Sequence, residues 1–259
     1  MDGSFLTVVV IALGAALASP LGGALAIWLR PSSLLLSIAV GFAGGVLLGT
    51  FAFEMLPTAL EMVHLAWVVV GFALGFGLVY LLDLYVNRWK VAGPEAEQNG
   101  RVVRYHRRHK PRGSKTTVLA GGTSAEEIIE GVAIGVGAAL APGTALIVGL
   151  AIAIDNVSEG MSIGELITSE GLEGTKRRIL FWTSLIGVSL FTSAMLGWFV
   201  LKGLSEGIQG LLFAIGAGGM FYLTITDLVP EAEAHQFQQS AALAIGAGFL
   251  LIMVLSHLM

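Results

Sequence analysis

Two short acidic stretches stand inside otherwise apolar runs of this chain: Glu126-Glu127-Ile128-Ile129-Glu130-Gly131 and Asp155-Asn156-Val157-Ser158-Glu159-Gly160. A shift of 29 residues superposes them, and the match continues from Ala133-Ile134-Gly135 to Ser162-Ile163-Gly164. On a helix the outer acids of each stretch are i and i+4, so they share one face about one turn apart. Two such helices side by side would aim Glu126, Glu130, Asp155 and Glu159 at a common point. The chain has no cysteine, so thiolate ligands are excluded, and the donors of these two stretches are oxygens, which suit a cation.

The charge balance inside the apolar runs sharpens this reading. They also hold Glu54, Glu165 and Asp227, and no Lys or Arg lies well inside any of them. A charged side chain at the bilayer centre costs about 2.5–3.5 kcal/mol on insertion scales. Without internal basic partners, protons or a metal must neutralise the cluster. Polar glue between helices would need one or two such residues, not a duplicated set.

The elements that position these acids are read from hydropathy. The 259 residues are 55% hydrophobic and 12% charged, with a mean hydropathy of +0.83; soluble domains carry about a quarter charged residues. This is the composition of an all-α, multi-pass membrane protein. Apolar runs long enough to span, roughly 20 residues each, fall at about 5–29, 34–58, 63–86, 117–140, 144–168, 179–201, 208–229 and 238–258, giving eight transmembrane helices in a single domain, 1–259. Met1-Asp2-Gly3 has no basic flank, so the first run is expected to be a retained span. With both termini outside, every Lys and Arg except Lys202 falls on the inner side. The positive-inside rule then places the basic loop, about 87–116, in the cytoplasm. Within it His106 and His109 are weak metal candidates; so many like charges favour a role in topology and anionic-lipid contact. Nothing suggests nucleic acid as a partner.

Helices 2 and 7 share a second echo. Offset by 173, Glu54 and Pro57 meet Asp227 and Pro230, with Glu231 next. By the topology above the two helices run in opposite directions, which puts one acid near each mouth, the mark of an inverted repeat. Glu54, Asp227, Glu231 and His235 are therefore candidates for the ion pathway. Gly131 to Gly135 and Gly160 to Gly164 are Gly-x-x-x-Gly spacings that allow close helix contact, expected here to bring helices 4 and 5 together.

At these residues the chain resembles the ZIP (Zrt/Irt-like) family of divalent-metal transporters. The resemblance rests on 126–131, 155–160 and Asp227-Leu228-Val229-Pro230-Glu231, and on the eight-span topology. It implies primary ligands at Glu126, Glu130, Asp155 and Glu159, and a second ion held by Glu127 and Asn156 sharing Glu130 and Glu159. It also implies a homodimer in the cell membrane. Glu126 and Asp155 stand where the family usually has histidine, and Ile129 and Ser158 where it commonly has proline. Ser189 is the nearest counterpart of a helix 6 ligand found in some members.

The expectation is a 3+2+3 inverted-repeat transporter that moves a divalent cation (zinc, iron(II), manganese or similar) into the cytoplasm, with the metal as cargo and no cofactor. A cation/proton or cation/cation exchanger is the alternative. An intramembrane glutamate-dependent protease is a further rival, but it needs an Arg or His at depth that the apolar runs lack.

Overall fold

The computed structural model describes residues 3–86, 115–140, 142–169, 174–201, 203–233 and 237–258. Among them there is no strand, and eight helices follow in order: α1 Gly3–Leu29, α2 Ser33–Met62, α3 Leu65–Val86, α4 Lys115–Leu140, α5 Pro142–Ser169, α6 Thr175–Leu201, α7 Glu206–Glu233 and α8 Gln238–Leu258. Seven are long and apolar enough to cross a membrane, which makes this a multi-pass membrane protein. The eighth, α4, carries three acids in its length, Glu126, Glu127 and Glu130. Most helices overrun the expected runs at their polar ends, where hydropathy fades before backbone hydrogen bonding does. α3 starts later than expected because Val63 is extended, at φ −138° and ψ 156°. α5 starts earlier because Pro142, its first residue, loses nothing there by lacking an N–H. His106, His109, His235 and the basic loop up to residue 114 lie outside the described residues.

α2 and α7 share a feature that hydropathy does not reveal. Each contains a π turn, Phe51–Met55 and Thr224–Leu228, the two being 173 residues apart. Leu56 N–H donates to the Phe51 carbonyl and Val229 N–H to the Thr224 carbonyl, five residues back in each case. Each turn ends just before a proline, Pro57 or Pro230, which cannot supply the regular i−4 donor. The Phe53 carbonyl, left free by Pro57, accepts from the Ser256 hydroxyl of α8 at 2.9 Å.

Close packing is set by glycines against backbone carbonyls. A Cβ on Gly45 of α2 would strike the Ile245 carbonyl of α8, and one on Gly248 would strike the Phe42 carbonyl in return. The same reciprocal pair joins α7 and α3: Gly218 on Phe72, Gly75 on Ile215. α1 packs on α5 through Gly22 and Gly160, and on α6 through Gly187. Two groups result, α1–α4–α5–α6 and α2–α3–α7–α8, joined where α2 meets α5 and α4 meets α7.

One expectation is corrected here. The Gly-x-x-x-Gly spacings do not clamp α4 to α5. Gly131 and Gly135 face Leu190, Ser193 and Ala194 of α6, while Gly160 and Gly164 face Ser19, Gly22 and Ala26 of α1. Each glycine directly follows an acid or lies one turn further on, so it sits about 100° round the helix from the acid face. α4 and α5 do touch, but through other residues.

This packing predicts unequal costs for equal substitutions. Gly45→Ala should lower the melting temperature in detergent by the equivalent of about 1–3 kcal/mol, the usual penalty of overpacking. Gly14→Ala, whose new methyl meets nothing within 4 Å, should leave it unchanged or raise it.

Candidate metal centre

Between the two helix groups lies a cavity of about 70 Å³, lined from α2, α4, α5 and α7. Its walls carry Glu126 and Glu130 of α4, Asp155 and Glu159 of α5, and Asp227 and Glu231 of α7. The i, i+4 spacing has done what it predicts: each pair occupies one helix face, and the two faces look into one space. Among the described residues no Lys, Arg or His lines it. One water needs about 10–15 Å³ of such space, so there is room for several waters or a hydrated ion. No three His, Asp or Glu side chains among the described residues stand close enough together to hold an ion as placed.

Glu127 and Asn156 sit behind this wall. Both are almost completely buried. Asn156 Nδ2 donates to Glu127 Oε2 at 3.4 Å and to the Ala15 carbonyl at 3.3 Å. Glu130 Oε2 and Asn156 Oδ1 are buried with no hydrogen-bond partner. Oxygens in that state retain lone pairs for a cation. α4 and α5 run unbroken through Ile129 and Ser158, and the Ser158 hydroxyl is satisfied by the Asp155 carbonyl at 2.8 Å.

The cavity also takes in three hydroxyls that the sequence reading did not single out: Thr123, Ser158 and Ser162. Ser162 Oγ donates to Glu231 Oε1 at 2.7 Å, tying α5 to α7 across the space. The signal was available. Thr123 and Ser162 lie three residues outside Glu126 and Glu159, on the same helix faces. Conversely, Glu54 and Ser189 do not line the cavity. Glu54 is 9% exposed, with Oε2 3.0 Å from Ser256 Oγ. Glu54 and Asp227 match in sequence but differ in setting.

The difference reflects an asymmetric core. Beyond Leu47 and Met220, which close one end of the cavity, the bundle is apolar and tightly filled by Phe51, Met55, Ile134, Ile152, Phe213 and their neighbours. Phe221 sits between Phe51, which it meets edge-to-face at a centroid distance of 5.6 Å, and Phe72, tilted against it at 5.5 Å. At the other end Glu126, Glu159, Asp227 and Glu231 are only half-buried. The cavity thus opens towards the ends of α5 and α7 and the start of α2.

An acid-lined cavity in a multi-pass helical bundle, closed at one end, defines a cation transporter. The family comparison agrees: the ZIP Zinc transporter model matches residues 95–256, more than half of the chain. The chain belongs to the ZIP family; it moves divalent metal ions and is not an enzyme. The chain is similar to the zinc transporter ZupT of Salmonella paratyphi A (strain ATCC 9150 / SARB42), Salmonella newport (strain SL254) and Salmonella enteritidis PT4 (strain P125109). Each is 28% identical over 215 residues, covering 79% of this chain and 77% of the relative.

The lining predicts that Glu130→Ala or Glu159→Ala reduces metal uptake into reconstituted vesicles to background, with membrane insertion and yield close to wild type. Uptake at the wild-type rate by either variant would remove these residues from the site.

Proposed function

We propose that this chain carries divalent metal ions into the cytoplasm by alternating access, with Glu126, Glu130, Asp155 and Glu159 as primary ligands. The observation that carries the reading is the cavity that all four line, with no basic side chain on its wall among the described residues. Glu127 and Asn156 hold a second ion that shares Glu130 and Glu159, a reading supported by the unpartnered Asn156 Oδ1. Asp227 and Glu231 take the ion on its way out; His235, the remaining sequence candidate, lies outside the described residues. The relatives are zinc transporters by name, which supports zinc among the cargo.

The arrangement is eight spans in a 3+2+3 inverted repeat. The reciprocal glycine–carbonyl contacts support it: shifting Gly45, Phe42, Gly75 and Phe72 by 173 gives Gly218, Ile215, Gly248 and Ile245, the residues of the partner seam. The paired π turns at the same offset support it too. With both termini outside and the basic loop inside, the open end of the cavity faces the cytoplasm. Transport then consists of one helix group moving against the other across the cavity, so that the apolar end opens. The working unit is a homodimer in the cell membrane, as the family resemblance implies.

Accessibility tests the orientation. With no native cysteine, Asp227→Cys should react quickly with an impermeant thiol reagent applied from the cytoplasmic side. Glu54→Cys should react only from the outside, and at least about tenfold more slowly, because opening must precede labelling. Labelling of both from one side rejects the arrangement.

The donor set bears on which metal is carried. Imidazole suits zinc, and carboxylates suit harder ions. Glu126 and Asp155 supply carboxylate where the resemblance expects imidazole, so zinc's margin narrows and the range extends to manganese and iron(II). Competition uptake in reconstituted vesicles should show comparable transport of zinc, manganese and iron(II) by the wild type. Glu126→His with Asp155→His should shift preference towards zinc. Strong zinc selectivity in the wild type, unmoved by the two histidines, would place selectivity elsewhere.

A further inference from the structure

Buried hydroxyls in this bundle find acceptors. Thr50, Thr183 and Thr224 each donate at 2.8 Å to the carbonyl four residues earlier, the usual solution on a helix. Ser37 and Ser193 reach carbonyls on neighbouring helices. Ser19 of α1 is the exception: it is fully buried, and its Oγ has no partner. Its i−4 acceptor would be the Ala15 carbonyl. That oxygen has two lone pairs; one serves the helix, and the Asn156 amide takes the other at 3.3 Å.

The stranded hydroxyl lies in the seam that holds Asn156. Ala15 meets Asn156, and one turn on the Ser19 carbonyl packs against Gly160, one turn beyond Asn156. The Asn156 amide is also fixed in its orientation. Its nitrogen faces two groups that only accept, the Ala15 carbonyl and Glu127 Oε2, so Oδ1 is the atom left over. Ser19 Oγ, Asn156 Oδ1 and Glu130 Oε2 are the three buried side-chain polar atoms without a partner among the described residues. They come from α1, α5 and α4, which pack on one another. Each alone is costly, because an unsatisfied buried polar group loses its hydration without recompense. Together they offer a hydroxyl, an amide oxygen and a carboxylate oxygen, a donor set for a hard divalent cation.

We propose that Ser19 Oγ is a ligand for a hard divalent cation in the α1–α4–α5 seam, beside Asn156 Oδ1 and Glu130 Oε2. This position is the second of the two ions, so the proposal rests on the two-ion reading above. It brings α1 into the metal site through a neutral hydroxyl. That limits the negative charge at the most enclosed part of the site.

The test is manganese(II) titration of the purified full-length protein, reading bound metal per chain and the electron paramagnetic resonance spectrum. The wild type should bind two ions and show a spin-coupled manganese pair. Ser19→Ala should keep the tighter ion and weaken the other on the order of tenfold, as loss of one supporting group at a metal site does. Its metal-free melting temperature should be unchanged or higher, since only an unsatisfied hydroxyl is removed. Ser19→Cys, the sole thiol in the chain, should give a thiolate-to-cadmium charge-transfer band when cadmium is added. Two-ion binding by Ser19→Ala at wild-type affinity, or cadmium binding by Ser19→Cys without that band, overturns the proposal. Asn156→Ala separates the two levels of the argument. If it loses the second ion while Ser19→Ala keeps it, only the role of Ser19 fails. If the wild type binds one ion, or Asn156→Ala still binds two, the two-ion reading fails and the proposal with it.

Discussion

Negative charge gathered on one cavity wall is the constraint on which this molecule depends. Six carboxylates line one cavity in a lipid-embedded bundle, and among the described residues no Lys, Arg or His shares that wall. Like charges brought together in a medium of low dielectric repel strongly, and unpaired buried charge destabilises a fold. Among the described residues no three His, Asp or Glu side chains stand close enough together to hold an ion as placed. On the reading proposed above, a divalent cation held among them would relieve that repulsion.

The rest of the bundle holds that cavity in place while leaving freedom to move. Within each helix group, glycines let backbones approach until carbonyls touch Cα atoms, and at such contacts a single methyl would intrude. Lipid offers no hydrophobic drive for helix association, so this close van der Waals packing does the work. Between the groups the contacts are fewer in kind. The polar link across the cavity, Ser162 to Glu231, involves two side chains able to change partners. Rigid seams inside each group and a soft junction between them fit a machine that shifts one body past another.

Family membership accounts for the transporter class, and Glu126 and Asp155 place carboxylate on the cavity wall. The hydroxyls of Thr123, Ser158 and Ser162 add further oxygens along that wall. The continuous helices through Ile129 and Ser158 keep the two acid faces regular, so each pair stays one turn apart.

Much of this was legible in the residue order alone. Hydropathy located the helices because lipid imposes a length on any span, and the i, i+4 acids read out their shared face because helix geometry is local. The recurrence at 173 residues was visible in Glu54-x-x-Pro57 and Asp227-x-x-Pro230, and both places prove to be π turns. Only the tertiary structure decided which helix each glycine face meets, since a Gly-x-x-x-Gly spacing marks a close contact without naming the partner; the seams fell to α6 and α1. It also decided that Asp227 lines the cavity while Glu54 is sealed against Ser256, because one end of the core is packed and the other open. The stranded oxygen of Ser19 lay beyond sequence reasoning for the same reason. Its usual acceptor is four residues away in the chain, but the amide that occupies that acceptor comes from Asn156, on another helix.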